Sequence, residues 1–264
     1  MIGVFDSGIG GLSVLDAIAR ELPEQDLVYL ADTAHVPYGN KDDAYIRERV
    51  RCIGDYLVGR GCQQIVVACN TATAAAAIAL REMLPSIDVV GVEPGIKPAA
   101  ENSRTRHVAV LATESTARSE RLAGLIRRYA DGVQVHVLPC PGWANRVEAL
   151  HLNDPDLAAE AGRLLEPVLA DGVDHVVLGC THYAFLKPLL EPIVAGRAVL
   201  VDVADAVAKQ CRRLATNHPS RQSAPANLTL TATAHPQRLE RAIVALGLQS
   251  LTNRLSGPVL LANI

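Results

Sequence analysis

Aromatic side chains make up only 3% of this 264-residue chain, with two Phe and a single Trp. Base-stacking platforms are built from such rings, so a nucleic-acid partner is not expected. The formal net charge is −3, and without a basic surplus nothing draws the chain electrostatically to a phosphate backbone or an anionic bilayer. No apolar run approaches the roughly 18–20 residues of a membrane span, and the N-terminus opens on a strand rather than a basic-then-apolar leader. No membrane partner is expected, and a cytoplasmic location is. None of the six cysteines forms a Cys-x-x-Cys pair, and neither they nor the eight histidines show the spacing of structural zinc sites. The cysteines read as reduced thiols and no metal is expected.

What is present is an α/β pattern, 49% apolar and 20% charged, long enough for one or two domains. The apolar run Ile2–Phe5 ends at Asp6-Ser7-Gly8-Ile9-Gly10-Gly11, followed by helical spacing over Leu12–Leu22. The Gly-x-Gly-x-x-Gly spacing of a dinucleotide site fails here, so nicotinamide binding is set aside. Leu27–Ala31 reads as a strand, the loop Asp32–Lys41 as a turn whose Pro37-Tyr38-Gly39 centre pushes a phenol outward, and Asp43–Arg60 as an amphipathic helix. Cys52 and Cys62 read as packing residues.

Two stretches share one grammar. Ile65-Val66-Val67-Ala68-Cys69-Asn70-Thr71 and Val176-Val177-Leu178-Gly179-Cys180-Thr181-His182 each run three apolar residues, one small residue, a cysteine and polar hydrogen-bonding groups, then a helix. A cysteine where a strand ends and a helix begins faces unpaired N–H groups and the positive end of the helix dipole, a position that favours an anion. An isolated cysteine there would more often be core; the second copy argues for chemistry.

The strand, polar turn, helix order also restarts at Val108–Ala112, Thr113–Thr116 and Ala117–Tyr129. Strands over Val133–Leu138 and Ala198–Val201, and helices over Asp154–Ala170 and 203–214, complete the pattern. Residues 1–95 plus about 205–264 are expected to form one domain and 96–204 another, with Thr216–Ala226 an exposed connection. The expected fold is α/β: two pseudo-symmetric doubly wound parallel sheets whose strand carboxyl ends face a shared cleft, Cys69 and Cys180 on opposite sides. Two thiols so placed suit removal of a proton from carbon on one face and its return on the other.

Phe5-Asp6-Ser7-Gly8-Ile9-Gly10-Gly11, Pro37-Tyr38-Gly39, Ala68-Cys69-Asn70-Thr71-Ala72 and Leu178-Gly179-Cys180-Thr181-His182-Tyr183 together resemble glutamate racemase, within the cofactor-independent aspartate/glutamate racemase family, from residue 2 to about 210. The resemblance implies that Cys69 and Cys180 are the proton donors and acceptors. Asp6 would assist Cys69, and His182, supported by Glu148 on a short helix, would assist Cys180. Asp6, Ser7, Tyr38, Gly39, Asn70, Thr71, Thr181 and His182 match substrate contacts. It implies glutamate as substrate, no cofactor, D-glutamate supplied to peptidoglycan, and room for a homodimer. Three alternatives stand beside it. An aspartate racemase would use the same device, although His182 favours glutamate. A hinged small-acid binding protein leaves the paired thiols without a use, and a cysteine hydrolase with Cys69 as nucleophile leaves Cys180 without one.

Overall fold

A computed structural model describes residues 1–216 and 226–264. The stretch read as an exposed connection therefore falls, apart from its two end residues, outside the described residues. The chain forms two compact units, Met1–Val92 with Ala204–Ile264, and Glu93–Val203.

In the first unit β1 (Ile2–Asp6), β2 (Leu27–Ala31), β3 (Gln64–Val67) and β4 (Asp88–Gly91) alternate with α1 (Leu12–Glu21), α2 (Asp43–Gly59) and α3 (Asn70–Met83). Every residue of β1, β2 and β3 is buried, as expected of parallel strands covered by helices on both faces. α2 and α3 cover one face, where Phe5, Leu30, Ile46, Ile53, Val67 and Leu80 form one cluster. Each such side chain contributes about 1.5–3 kcal/mol on leaving water.

The second unit comprises α4 (Ile96–Asn102), β5 (His107–Ala112), α5 (Glu114–Arg118), α6 (Glu120–Tyr129), β6 (Gln134–Pro139), α7 (Trp143–Glu148), α8 (Pro155–Ala170), β7 (His175–Leu178), α9 (Lys187–Val194) and β8 (Val199–Val201). The single helix expected over 117–129 is instead two. The chain turns extended at Ser119 (ψ 139°), whose hydroxyl accepts from Leu122 N. A serine whose oxygen can cap the following turn competes with the helical backbone and here restarts the helix.

The chain then returns to the first unit through α10 (Ala204–Ala215), β9 (Leu228–Ala232), α11 (Pro236–Ala245), α12 (Gln249–Thr252) and β10 (Leu260–Leu261). α10 packs on α1. The two sheets are wholly parallel, in the orders β10-β9-β2-β1-β3-β4 and β6-β5-β7-β8. The C-terminal residues, silent in the sequence, supply the edge strand β10 and an acceptor, the Ile264 carbonyl, for Arg49 at 3.3 Å. Among the described residues no helix is long and apolar enough to cross a membrane.

Candidate active site

In the first unit Asp6, Asp32 and Cys69 lie at or just past the carboxyl ends of three neighbouring strands. Asp6 closes β1 and is fully buried. Its carboxylate accepts from Ser7 N at 2.7 Å, Ser7 Oγ at 3.3 Å and Gly11 N at 2.6 Å, so one side chain shapes the whole turn into α1. Gly11 is required there: a Cβ would sit 2.7 Å from Asp6 Cβ and 2.9 Å from the Tyr29 hydroxyl. On the adjacent strand, Phe5 pairs with Val67 and Ala68 N donates to the Phe5 carbonyl at 2.8 Å. That register sets Cys69 one step beyond the level of Asp6. Cys69 is extended (φ −143°, ψ 119°) and is the N-cap of α3.

The next residues, Asn70 and Thr71, are buried in the first turn of α3. Asn70 Nδ2 is a buried donor with no acceptor among the described residues. Leaving such a group unpaired costs about 1–3 kcal/mol, an expense that a bound carboxylate would remove.

Tyr38 corrects the sequence reading. Its phenol is not pushed outward: the side chain is 1% exposed, and its hydroxyl donates to Asp32 Oδ2 at 2.5 Å. The ring joins the cluster that holds Phe5, Ile46 and Cys69. Local turn propensity lost to a buried acceptor six residues earlier. Burial, reinforced by the Asp32 charge, raises the phenol far above its ordinary range and keeps it a donor. Gly39, half-buried, follows in the same short 3-10 turn, Tyr38–Asn40.

Asp32 is the residue that the sequence reading missed. It is fully buried just beyond β2. Besides Tyr38 it accepts from Arg49 Nε at 3.1 Å, Arg49 Nη2 at 2.9 Å and the Thr233 hydroxyl at 2.9 Å. Its place immediately after the apolar run Leu27–Ala31, as Asp6 follows Ile2–Phe5, was the available signal.

In the second unit Cys180 follows β7 with nearly the backbone of Cys69 (φ −144°, ψ 135°). Gly179 N donates to the Leu111 carbonyl at 2.8 Å, as Ala68 N does to Phe5. The match ends there. A Cβ on Gly179 would lie 2.7 Å from the Leu111 oxygen, so the alanine used before Cys69 does not fit. The expected helix after Cys180 is a 3-10 segment, Thr181–Leu186. Pro188 in the first turn of α9 lacks the N–H, and its ring would strike the carbonyl four residues back in a continuous α-helix.

Cys180 Sγ lies 3.7 Å from His182 Nδ1, and His182 Nε2 lies 2.6 Å from Glu148 Oε1. Thr181 is buried between the thiol and the imidazole in sequence. Glu148 ends α7, which is fixed to α8: Trp143 Nε1 donates to Glu160 at 2.9 Å, and Arg146 reaches Asp154 at 2.8 Å and Glu160 at 3.3 Å. Trp143 also meets Tyr183 edge-on, centroids 5.6 Å apart. Burial alone would lower the basicity of His182. Its bonds to Cys180 and Glu148 outweigh that, and the imidazole stands well above its ordinary 6.5.

A raised folded value stabilises the fold fully below about 6.5, and that contribution is lost as pH climbs through the higher value. Thermal melts stepped upward from about pH 6 should lower Tm more in the wild type than in His182→Gln. Parallel curves would remove the charged pair.

The other cysteines are set apart by their surroundings. Burial pushes Cys62 up to about 11 and Cys140 and Cys211 up to about 12, holding all three as thiols. Cys52, read as a packing residue, is only half-buried, with its thiol 3.6 Å from Glu48.

The chain matches the Asp/Glu/Hydantoin racemase family over residues 2–211. It is 51% identical over 213 residues to the glutamate racemase of Pseudomonas aeruginosa, covering 81% of this chain and 80% of that one. It is 47% identical over 241 residues to the glutamate racemase of Pseudomonas paraeruginosa, covering 91% of each. The crystal structure of Escherichia coli glutamate racemase in complex with L-glutamate and the activator UDP-MurNAc-ala superposes with a TM-score of 0.86 at 33% identity, covering 100% of this chain and 98% of that one.

Proposed function

Because the chain belongs to the Asp/Glu/Hydantoin racemase family, we propose that it interconverts L-glutamate and D-glutamate, with Cys69 and Cys180 as the two acid/base groups. The observation that carries the reading is the twofold presentation of a thiol. Each sulfur follows an inner parallel strand in the same extended backbone, one residue after a small side chain whose N–H bonds the neighbouring strand at 2.8 Å.

The steps balance without an external oxidant or reductant. One cysteine, as thiolate, takes the α-hydrogen as a proton: a C–H bond breaks, an S–H bond forms, and the electron pair stays on the substrate. The other cysteine, as thiol, gives its proton to the opposite face of that carbon, and the configuration inverts. The protonation states of the two sulfurs have then exchanged, ready for the reverse reaction. His182 and Glu148 serve Cys180, supplying positive charge when that sulfur is anionic. Asp6 serves Cys69.

The negative charge that develops during deprotonation is met by N–H groups at the start of α3 and of the segment after Cys180, together with Asn70, Ser7, Thr71 and Thr181. Tyr38 and Gly39 complete the contacts. The reading calls on no cofactor, and it includes a cytoplasmic enzyme that feeds D-glutamate to peptidoglycan.

Incubating each glutamate enantiomer in deuterated buffer, with no added cofactor, should bring optical rotation to zero and place deuterium at Cα. Aspartate run alongside should keep its rotation. Persistent rotation of both glutamate enantiomers would overturn the assignment.

A further inference from the structure

A second cluster of chemically capable side chains lies in the second unit, and the racemase reaction makes no use of it. We propose that His107, His136 and Asp171 bind a divalent transition-metal ion of the zinc class.

The sheet register brings the histidines together. His107 opens β5 and shares a face with Ala109, two residues on. Ala109 pairs with His136 on β6, so the two imidazoles are diagonal neighbours on that face. Their rings stack, centroids 5.8 Å apart and 28° between planes. Asp171, the C-cap of α8, comes over them from the helix. His107 Nδ1 lies 3.6 Å and His136 Nε2 3.4 Å from Asp171 Oδ2, and all three ligand atoms fall within 4.8 Å of one another.

Zinc binds imidazole and carboxylate at about 2.0–2.2 Å, which in a tetrahedral site spaces ligand atoms by about 3.4 Å. Two edges of that triangle are already close to this length. The donor set of two imidazoles and one carboxylate suits zinc, cobalt or nickel, and is too poor in oxygen for calcium or magnesium.

The hydrogen bonding points the same way. His107 Nδ1 and His136 Nε2 are buried nitrogens with no hydrogen-bond partner among the described residues. One carboxylate oxygen serving two imidazolium ions would stack like charges, whereas one metal ion would use both nitrogens in their neutral state. The Asp171 side chain is 55% exposed, leaving an approach for the ion and a coordination position for water.

The location separates this site from the proposed chemistry. β5 and β7 are parallel with Leu111 beside Leu178, so the cluster sits roughly 13–20 Å back along the strand direction from Cys180. A metal there would tie the C-terminal end of α8 to the sheet. α8 is the helix whose Asp154 cap and Glu160 hold α7, so the expected role is to stiffen the support of that helix.

The test uses the full chain with Zn2+ or Co2+ alone as probe. The background is Cys69→Ala with Cys180→Ala, so that metal held by those sulfurs is not counted. Cobalt should give ligand-field absorption without a sulfur charge-transfer band, and zinc should raise Tm. His136→Gln should weaken affinity by more than about 100-fold, beyond the 10–100-fold that changes in outer-shell partners cost. In otherwise unaltered enzyme the same substitution should leave metal-free Tm and racemisation at wild-type levels. If His136→Gln does not fold, Asp171→Asn on the exposed helix end gives the same reading. Absence of binding, or binding indifferent to both substitutions, would overturn the proposal.

Discussion

Cys180→Ala should stop racemisation yet leave solvent exchange at Cα of one glutamate enantiomer, and Cys69→Ala should do the same for the other enantiomer. Inversion needs both sulfurs, so either deletion should lower turnover by about 10²–10⁴-fold, the contribution of a positioned acid or base. That corresponds to about 3–5 kcal/mol of barrier. Exchange without inversion needs only one sulfur, which can take a proton, trade it with water and return a deuteron to the same face. The expected pattern is therefore complementary: deuterium without loss of rotation, for opposite enantiomers in the two variants. Mass spectrometry of recovered glutamate alongside polarimetry reads it directly. Cys62→Ala, Cys140→Ala and Cys211→Ala are the controls. Burial keeps those thiols protonated, and they should show stability losses only. A variant at 69 or 180 that still inverts glutamate would remove that cysteine from the reaction.

The second large effect is structural. Asp32→Asn should lower Tm by about 6–20 °C, from a loss of about 3–5 kcal/mol when one partner of a buried ion pair is removed. The charge is wholly enclosed and Arg49 is nearly so, with 11% of its side chain exposed. The amide keeps the shape but leaves the guanidinium without its counter-charge. It also offers Tyr38 and Thr233 a weaker acceptor. Adding Arg49→Met should recover part of the loss, because two neutral groups of similar volume replace an orphaned charge. Calorimetry of the single and double variants checks this. Equal Tm for Asp32→Asn and wild type would show that the pair contributes no net stability. Because Tyr38 belongs to the proposed substrate contacts, KM for glutamate should rise even where kcat is kept.

The strand-end cysteines were legible in the sequence because their signal is local: an apolar run, one small residue, a thiol, then a helix start. The same is true of the turn at Asp6 and of the cap at Asp154, which accepts from Asp156 N and Leu157 N as its position before Pro155 suggested. What escaped depends on residues far apart in sequence. The direction of Tyr38 is decided by Asp32 and by packing against Phe5 and Ile46, which a reading of Pro-Tyr-Gly as a turn does not include. Asp32 lies just past the end of its strand, one step beyond the level of Asp6, but its partner Arg49 sits in the middle of α2 and could have faced solvent. The meeting of His107, His136 and Asp171 depends on strand register and on where α8 stops. Ser119 was missed for the opposite reason: the helical spacing around it was read as continuous when one hydroxyl was enough to interrupt it.

The residue two places after Cys180 is His182, linked onward to Glu148, whereas the corresponding place after Cys69 holds Thr71. The two sulfurs thus have chemically different surroundings even though their backbones match. Mirror-image glutamates have identical free energies in water, so their equilibrium ratio is unity and kcat/KM must be the same from either side. The unlike surroundings can redistribute that shared quotient between turnover and saturation, making one enantiomer slower and more tightly held, but they cannot favour a net direction. Net flow toward either enantiomer has to come from whatever consumes it.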